Sequence, residues 1–537
     1  MKYSIFLVFV LMSFQSIAQE SVSKVWVSDN GDGSFKNPVI NADYSDPDAI
    51  RVGEDFYMIS SSFSHVPGIP ILHSKDLVNW TIIGYALPRL TPNLHYDSVQ
   101  HGGGIWAPSI RFHAGEFFIY YPDPDFGIYV IRTKNIRGPW SDPVLVEGGK
   151  GLIDPCPLWD DDGRVYLVHA YAGSRAGIKS IIVIKELNAT GTKTIGNAVL
   201  VYDGHENDPT IEGPKLYKRS GYYYIFAPAG GVTKGWQLAL RSKNIYGPYE
   251  RKIVMDQGNS TTNGPHQGAW VNTTTGEDWF LHFQDKAAYG RVVHLQPMKW
   301  AYNWPVIGRD DDNDGKGEPV LTFKKPNVGK SYPIKTLPDG DEFNTSSVGF
   351  QWQWQANPQA SWIFPGANGS LRMYSVYHQD SINNLWNLAD IFAQKLPAES
   401  FIARVKLKFT PKIKNERFGL IMFGEDYAYI SLEKRNDGLF VVYRENMKAD
   451  QQRADSELAS FAVSGEEFYL EVIVDKGGQC QFGFAGADGK YKVNSRVFTI
   501  KPGRWVGAKM GFFCLRNNLT NDAGYADIDW FRVEANK

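Results

Sequence analysis

Five segments of the chain repeat one pattern of apolar and polar residues. Each has a short lead-in, an apolar stretch, a turn with glycine, and a second stretch rich in aromatic and β-branched residues, which is the pattern of a β-hairpin. The segments are DPDAIRVGEDFYMIS from Asp46, WAPSIRFHAGEFFIYY from Trp106, DPCPLWDDDGRVYLVHA from Asp154, EGPKLYKRSGYYYIFA from Glu212 and HQGAWVNTTTGEDWFLHF from His266. When the hairpins are aligned on their first strand, these five starting residues occupy one equivalent position.

The spacing of the repeat predicts the fold. Its period is about 55 residues, in the range of propellers and solenoids. A second motif recurs in phase with it, as HSKDLVNW at His73, RTKNIRGPW at Arg132 and RSKNIYGPYE at Arg241. Five units of about four strands each predict a five-bladed β-propeller, in which the innermost strand of every blade lines the central axis. We therefore expect the five equivalent residues to converge on one axial pocket.

The chain divides into four predicted parts. Residues 1–18 combine one Lys, a short apolar run and small residues near Ala18, which is typical of a cleaved secretory signal peptide and too short for a membrane span. The propeller is expected to occupy residues 19–325, and a Pro- and Lys-rich linker residues 326–338. The protein is accordingly expected to be secreted, either periplasmic or extracellular.

Residues 339–537 show a different pattern. FIARVKLKF at Phe401 and AGYADIDWFRVEA near the end alternate apolar and polar residues, and several apolar strands with turn signals lie between them. This predicts a β-sandwich. In QWQWQANP, Trp352 and Trp354 share one strand face. They could form a sugar platform, but we favour a core or interdomain anchor.

The amino-acid composition argues for some classes of function and against others. The formal net charge of −2 gives no electrostatic argument for nucleic acid or for an anionic membrane surface. Tyrosine, phenylalanine and tryptophan are abundant, as in many secreted β-proteins that bind sugars. Only three cysteines are present, so the fold is not a disulfide scaffold. Cys480 and Cys514 could pair, and Cys156 is expected to be a packed thiol.

The sequence contains only weak indications of metal-binding sites. Asp310, Asp312 and Asp314 follow the order of a calcium loop, but Leu321 stands where the bidentate Glu is needed, so a solvated acidic turn is expected. In the sandwich, Asp341, Asp527 and Asp529 are candidate ligands for one structural Ca²⁺. No cofactor is expected to be required for the chemistry. His266 could ligate an axial ion, or it could bond to a substrate or a carboxylate.

Three carboxylates around one pocket suit glycoside hydrolysis. The reaction needs a general acid with a raised pKa and a second carboxylate that acts as base or nucleophile. A third carboxylate can orient the acid and raise its pKa by like-charge repulsion. The alternative is that Asp-Pro and Glu-Gly only form turns at the strand starts, but buried carboxylates without partners are expensive.

The motifs also resemble a known family. NADYSDPDAIRVGEDFYM, GIWAPSI, LIDPCPLWDDDGRVYLV, IEGPKLYKRSGYYYIF and YGRVVHLQPMKW are similar to the blades of glycoside hydrolase family 43, and DEFN, QWQW and ADIDWF resemble the lectin-like, concanavalin-A-like β-sandwich of its β-xylosidase-type members. The related fructan-cleaving propellers carry N-D-P-N and R-D-P motifs instead. SDPD and IDP in this chain argue against that group.

The resemblance implies roles for individual residues. Asp46 would be the general base, Glu212 the general acid, and Asp154 the residue that orients the acid and modulates its pKa. Trp106 would stack near the sugar and Arg291 would reach its hydroxyl groups. His266 is a third candidate substrate contact because of its own equivalent position in the predicted pocket.

The resemblance also implies an exo-acting, inverting enzyme. We expect release of terminal α-L-arabinofuranosyl residues from plant hemicellulose or pectin-derived oligosaccharides. A β-D-xylosidase or a dual-activity enzyme is the close alternative, and an endo-arabinanase or a non-catalytic carbohydrate-binding propeller is more remote. The expected partner is a plant oligosaccharide or polysaccharide, and the sequence leaves the oligomeric state open.

Overall fold

The computed structural model describes residues 22–378 and 383–536, so the predicted signal peptide lies outside the described residues. The regular secondary structure of the described chain is almost entirely β-strand, and its two α-helices are single turns, α1 (Asn93–Tyr96) and α2 (Gly173–Ala176). No helix in these two ranges is long and apolar enough to cross a membrane.

The N-terminal part contains five antiparallel sheets, each of four strands joined in chain order. Blade one consists of β2 (Asp48–Val52), β3 (Asp55–Ile59), β4 (Gly68–Ser74) and β5 (Trp80–Leu87). Blade two consists of β6 (Ser109–His113), β7 (Glu116–Asp123), β8 (Gly127–Thr133) and β9 (Val144–Gly148). Blade three consists of β10 (Leu152–Trp159), β11 (Val165–Tyr171), β12 (Ile181–Leu187) and β13 (Thr194–Asp203). Blade four consists of β14 (Lys215–Arg219), β15 (Tyr222–Ala229), β16 (Trp236–Ser242) and β17 (Glu250–Met255). Blade five consists of β18 (His266–Asn272), β19 (Asp278–Asp285), β20 (Arg291–Ala301) and β21 (Trp304–Ile307).

The first strand of each blade lies next to the axis. β2 lies against β6 and β18, and β10 lies against β6 and β14, as neighbours around a ring do. Each blade buries apolar side chains on both faces, since the next blade covers it on either side. The predicted five-bladed β-propeller is confirmed.

The segment before blade one closes the ring. Ile40 pairs with Val293 in β20, and the Asn37 side-chain amide donates to the carbonyl of Leu295 at 2.8 Å. β1 (Ser34–Lys36) pairs with β22 (Thr322–Lys324), which follows blade five. These contacts tie the start of the propeller to its end.

The C-terminal part is a sandwich of two eight-stranded sheets, which confirms the predicted lectin-like fold. The order in the first sheet is β23 (Gln353–Trp354), β27 (Phe392–Lys395), β37 (Lys509–Arg516), β29 (Arg417–Phe423), β30 (Tyr427–Arg435), β31 (Gly438–Asn446) and β32 (Ser456–Val463), with β26 (Val376–Tyr377) on β37. The order in the second sheet is β24 (Ile363–Ala367), β25 (Ser370–Tyr374), β38 (Tyr525–Glu534), β28 (Phe401–Thr410), β33 (Glu467–Asp475), β34 (Gln479–Ala485) and β35 (Lys492–Val493), with β36 (Phe498–Thr499) on β34.

Trp352, just before β23, and Trp354, within it, anchor the start of the sandwich. Trp352 is 2% exposed and stacks on Phe392, with ring centroids 4.9 Å apart. Trp354 is buried beside it, and its backbone exchanges hydrogen bonds of 2.7 and 3.0 Å with Val66 of the propeller. They therefore hold the core of the sandwich and join it to the propeller.

The three carboxylates predicted to bind calcium in the sandwich have other partners, so the structure does not support that prediction. Asp341 accepts from the backbone N–H of Phe343 and Gly349 at 3.0 and 2.8 Å and from Trp352 Nε1 at 3.1 Å. Asp527 binds Arg372 through two hydrogen bonds of 2.7 and 2.8 Å, and Asp529 pairs with Lys406 at 3.0 Å. In the described residues, these carboxylates do not form a group that could hold a metal ion.

The structure also locates the predicted acidic turn and the three cysteines. Asp310, Asp312 and Asp314 do approach one another, with candidate ligand atoms within 4.8 Å, in a largely exposed turn. Cys156, Cys480 and Cys514 are all free and buried. The pairing of Cys480 with Cys514 is therefore not formed, since Cys480 lies in β34 of one sheet and Cys514 in β37 of the other.

Candidate active site

The structure brings five of the predicted site residues together at one end of the propeller axis. Asp46 and Asp154 are 5% and 4% exposed. Arg291 Nη1 lies 3.5 Å from Asp46 Oδ1, and His266 Nε2 lies 3.0 Å from Glu212 Oε1. The backbone N–H of Gly213, next to Glu212, donates to Asp154 Oδ2 at 2.7 Å. The equivalent starts of four inner strands therefore form one polar cluster.

Local backbone irregularity points these side chains to the axis. Asp46 and Asp154 have φ values of 56° and 57°, in the left-handed region that aspartate tolerates better than most residues. Asp154 sits at a bulge in β10, between Ile153 and Cys156, and β18 has a bulge after His266. Bulges commonly re-aim a side chain next to an active site. The unusual backbone conformations therefore occur at the residues that form the polar cluster.

Asp46 accepts a hydrogen bond from a serine and faces an arginine. Ser61 Oγ donates to Asp46 Oδ2 at 2.5 Å, and the Arg291 guanidinium faces its other oxygen. The Ser61 backbone N–H also donates to the Ser45 carbonyl at 3.0 Å, which fixes the serine beside the aspartate. Ser61 was missed by the sequence analysis, because no short motif marks it.

Asp154 depends on the glycine that follows Glu212. Gly213 has φ 59°, and a Cβ there would lie 2.8 Å from Gln267 Cγ. A glycine is required at this position for the N–H to reach Asp154. Burial raises the pKa of Asp154 to about 6, the Gly213 N–H opposes the rise, and the charge of Asp46 adds to it. The hydrogen bond and the burial thus act in opposite directions on one carboxyl.

Glu212 is a carboxyl whose surroundings favour its protonated form. About a third of the side chain (35%) is exposed, and it faces the pocket cluster. Burial and the nearby charge of Asp154 raise the pKa of Glu212 to about 8, while Arg291 lowers it. A carboxyl with such a pKa keeps a proton at neutral pH and can act as a general acid.

His266 is neutral and makes a hydrogen bond with Glu212. Its side chain is 1% exposed, and burial together with the charge of Arg291 lowers the pKa of His266 to about 3. Of the two options for this residue, the structure shows the bond to a carboxylate. Its ring also packs against Phe283, with centroids 5.3 Å apart. The histidine therefore fixes the position of Glu212 without adding a charge.

Arg291 is positioned by the segment before blade one. Its backbone N–H donates to Asp43 Oδ1 at 2.9 Å, and its guanidinium lies 4.9 Å from the Phe283 ring centre. Asp43 Oδ2 accepts a second backbone bond of 2.9 Å from Gly507 of the sandwich. Asp43 thus connects Arg291 to a loop of the other domain, and no sequence motif marks it.

Trp106 lies at the edge of the cluster and meets the sandwich. Its ring contacts Phe63 of blade one and Trp505 of the loop before β37, each at a centroid distance of 6.3 Å. Arg175 lies over the Trp106 ring at 5.2 Å. Trp505 is 52% exposed and has φ 66°. The sandwich therefore supplies an aromatic wall beside the predicted sugar-stacking residue.

We expect Trp505→Ala to lower kcat/KM on short oligosaccharides by about 3- to 10-fold, mainly through KM. An aromatic pair of this kind is worth about 0.5–1.5 kcal/mol. Steady-state kinetics on a disaccharide and on a longer oligosaccharide would measure the loss. Trp530→Ala, which changes a half-buried tryptophan of β38, is the control. Equal kinetics of the Trp505 variant and the wild type would remove this residue from the pocket wall.

Comparisons with known proteins agree with this architecture. The family model described as "Glycosyl hydrolases family 43" matches residues 35–305. The model described as "Beta xylosidase C-terminal Concanavalin A-like domain" matches residues 340–534. A solved structure of a xylan beta-1,4-xylosidase from Bacillus halodurans superposes with a TM-score of 0.81 at 25% identity, and covers 93% of this chain and 99% of that chain.

Three curated relatives match nearly full length. A "Putative beta-xylosidase" from Xylanibacter ruminicola is 37% identical, over 93% of this chain and 89% of the relative. A "Beta-xylosidase" from Formosa agariphila is 31% identical, over 94% and 91%. A "Non-reducing end alpha-L-arabinofuranosidase" from Bacteroides ovatus is 28% identical, over 93% and 94%. The matches span the propeller and the sandwich together.

Proposed function

The chain belongs to glycosyl hydrolase family 43, and we propose that it is an exo-acting, inverting β-D-xylosidase that removes terminal xylosyl residues from plant-derived oligosaccharides. That it is a glycoside hydrolase follows from the family, whose chemistry needs no cofactor. The observation that carries the proposed mechanism is that Glu212, one of three clustered carboxyls, has a pKa raised to about 8 by burial and by the charge of Asp154.

In the proposed mechanism, Asp46 takes a proton from a water that attacks the anomeric carbon. Glu212 gives its proton to the glycosidic oxygen as the bond to that oxygen breaks. Asp154 stays behind the acid and raises its pKa through its negative charge. An inverting reaction needs room for the water, with the base and acid carboxyls about 6.5–9.5 Å apart. Arg291 and Trp106 would contact the bound sugar.

The preference for xylose over arabinose rests on the relatives. Two relatives above 30% identity are named as β-xylosidases, whereas the α-L-arabinofuranosidase is 28% identical. This reverses the order expected from the sequence, where arabinofuranosidase came first. α-L-Arabinofuranosidase activity remains the second candidate, because a relative of nearly the same length carries that name.

The proposal of exo action is based on a loop of the sandwich that closes one side of the pocket. Trp505 reaches Trp106, and Arg504 packs against Gly102, where a Cβ would lie 2.8 Å from Arg504 Cγ. A pocket closed on this side suits the release of one residue from a chain end. It suits an endo-arabinanase, which needs an open groove, much less well. A non-catalytic carbohydrate-binding propeller would not need an acid with so high a pKa.

The test is hydrolysis of aryl β-D-xyloside and aryl α-L-arabinofuranoside side by side, followed by xylobiose. Faster release of xylose, with single-residue products, is the expected result. Faster release of arabinose would reverse the order of the two candidates. Release of neither sugar from short substrates, with measurable binding, would favour the non-catalytic alternative.

We expect kcat/KM to fall as the pH rises through about 8, because Glu212 then loses the proton that it donates. The charge of Asp154 raises the pKa of Glu212, so Asp154→Asn should move this alkaline limb to lower pH. The measurement is kcat/KM for xylobiose between pH 5 and pH 10 for both proteins. An alkaline limb that stays in place in the variant would show that Asp154 does not modulate the acid.

Export is proposed from residues 1–18, which lie outside the described residues. A cleaved leader would place the enzyme in the periplasm or outside the cell, where plant oligosaccharides are available. N-terminal sequencing of protein purified from a secreting host tests this. A mature chain that still begins at Met1 would contradict it.

A further inference from the structure

A second cavity lies on the propeller axis, at the end opposite to the polar cluster, and we call it the distal cavity. Its volume of about 360 Å³ is within the range of small-molecule pockets, about 300–1,000 Å³. Each of the five innermost strands contributes three consecutive residues to its wall. These are Ala49, Ile50 and Arg51 of β2, Arg111, Phe112 and His113 of β6, Pro157, Leu158 and Trp159 of β10, Leu216, Tyr217 and Lys218 of β14, and Trp270, Val271 and Asn272 of β18. The ring of blades therefore builds this cavity without the sandwich.

Buried side chains fill the axis between the distal cavity and the polar cluster. Asp48 and Lys215 are both 0% exposed. Arg111 donates to Asp48 Oδ2 at 2.7 Å and to Cys156 Sγ at 2.8 Å. Lys215 Nζ donates to Ser109 Oγ at 2.7 Å. The distal cavity is therefore a separate site and not the far end of the active-site pocket.

Aromatic rings from four different blades reach the wall of the distal cavity. They are Phe112, Trp159, Tyr217 and Trp270. Phe112 is 43% exposed, and the other three rings are partly exposed. Contacts on the side of the blades hold two of them, because Trp159 packs against Phe118 with centroids 4.9 Å apart and Trp270 Nε1 donates to Asp278 Oδ1 at 2.7 Å. Apolar ring surface is thus presented in a fixed arrangement.

Arg51 brings hydrogen-bond donors to the same cavity. Its Nε donates to the Asn272 carbonyl at 2.8 Å, its Nη2 to Asn272 Oδ1 at 3.2 Å and its Nη1 to the Gly53 carbonyl at 2.8 Å. A guanidinium has five N–H groups, so two of them are left for a ligand. The bonds to blade five also fix the direction in which this side chain points.

The charges of the wall are largely balanced. Arg111 pairs with Asp48 at 2.7 Å, and Lys218 pairs with Asp161 at 3.0 Å. In the part of the chain that the structure describes, none of the residues of the wall is Asp or Glu. Rings and a few directed donors, with little net charge, suit a neutral ligand that has both C–H and hydroxyl groups.

We propose that the distal cavity is a second, non-catalytic sugar-binding site, which takes one neutral sugar residue of a polysaccharide chain. The aromatic rings would pack against the C–H groups of the sugar, and the two remaining N–H groups of Arg51 would donate to its hydroxyl oxygens. A polysaccharide bound there would keep the enzyme near the chain ends on which it acts. The site itself does not depend on the proposed function, which only guides the choice of xylan-type probes.

Crystals of Glu212→Gln soaked in xylotriose test the site directly, because the uncleaved sugar can be observed in them. We expect electron density for a sugar ring in the distal cavity, within hydrogen-bond distance of the Arg51 guanidinium, in addition to density in the active site. Density in the active site alone would overturn the proposal.

Affinity electrophoresis in gels that contain a soluble neutral arabinoxylan gives a second readout. An exo-acting pocket binds only chain ends, which are few in a polymer, so retardation of Glu212→Gln reports mainly the distal cavity. Adding Phe112→Ala should weaken the apparent affinity by about 3- to 10-fold. Phe364→Ala, which changes a phenylalanine of the sandwich that is 46% exposed, is the matched control and should keep the affinity. As single substitutions, both should leave kcat/KM on xylobiose unchanged.

Three results would contradict the site. Equal retardation of the Phe112 and Phe364 variants would do so, as would no retardation by either arabinoxylan or arabinan, whichever sugar the enzyme hydrolyses. Retardation that weakens steeply between about 0.05 M and 0.5 M salt would indicate an anionic ligand instead of a neutral sugar. A wild-type dimer in sedimentation that Phe112→Ala dissociates would show that a second copy of the chain covers the cavity.

Discussion

Glu212→Gln is expected to slow the hydrolysis of xylobiose by roughly 10²- to 10⁴-fold, which is the usual contribution of general acid–base catalysis. The glutamine keeps the size of the side chain and an oxygen for the contact with His266 Nε2, but it has no acidic proton. The sugar leaving group of xylobiose needs that proton. An aryl xyloside with an acidic phenol leaves without it, so its loss of rate should be much smaller.

The dependence on the leaving group is the informative part of this experiment. A misfolded or displaced pocket would lower both rates alike, whereas loss of the acid lowers mainly the rate on xylobiose. Glu206→Gln, on an exposed surface of the propeller, is the control for the substitution itself. The alkaline limb near pH 8 should also disappear in the Glu212 variant on the aryl substrate. Equal losses on both substrates would contradict the assignment of Glu212 as the acid.

Asp46→Asn is expected to lower kcat by roughly 10²- to 10⁴-fold on xylobiose and on the aryl xyloside alike. The base acts on the attacking water, so its loss does not depend on the leaving group. Asparagine keeps an oxygen for the hydrogen bond from Ser61 Oγ, which limits the change to the lost charge. Steady-state kinetics with both substrates, beside Asp142→Asn as an exposed control, would measure it.

The stereochemistry of the product separates the base from a nucleophile. Proton NMR of the first-formed sugar should show α-xylose from a β-xyloside, because water attacks from the face opposite the leaving group. Azide should partly restore the rate of Asp46→Asn on the aryl xyloside, since an anionic nucleophile needs no base. First-formed β-xylose would instead indicate a covalent intermediate and would overturn the inverting mechanism.

The sequence predicted much of the propeller because its information is periodic. Each blade repeats a strand–turn–strand pattern, and equivalent positions in a closed ring of blades must face the same axis. Asp46, Asp154, Glu212 and His266 could therefore be grouped before any contact was known. Arg291 lies outside that equivalent position, and only the resemblance to a family indicated it.

The predicted calcium site shows where strand pattern is a poor guide. Asp527 and Asp529 lie two residues apart in β38, and both were predicted to be ligands of one calcium ion. Their partners, however, come from the neighbouring strands. Arg372 of β25 lies opposite Asp527, and Lys406 of β28, which is paired in register with Trp530, reaches Asp529 at 3.0 Å. Alternation within a strand gives the face on which a residue lies, but the charge across the sheet depends on which strands pair.

The sequence by itself determined the fold class, the family and the convergence of the axial residues, because all three follow from repeated local patterns. The tertiary structure alone decided the contacts of Trp505 and Asp43. Both residues lie in irregular segments, with no period to mark them, and these contacts exist only where two separately patterned domains meet. The pKa of Glu212 belongs to the same class, since burial and the charge of Asp154 act through space and not along the chain.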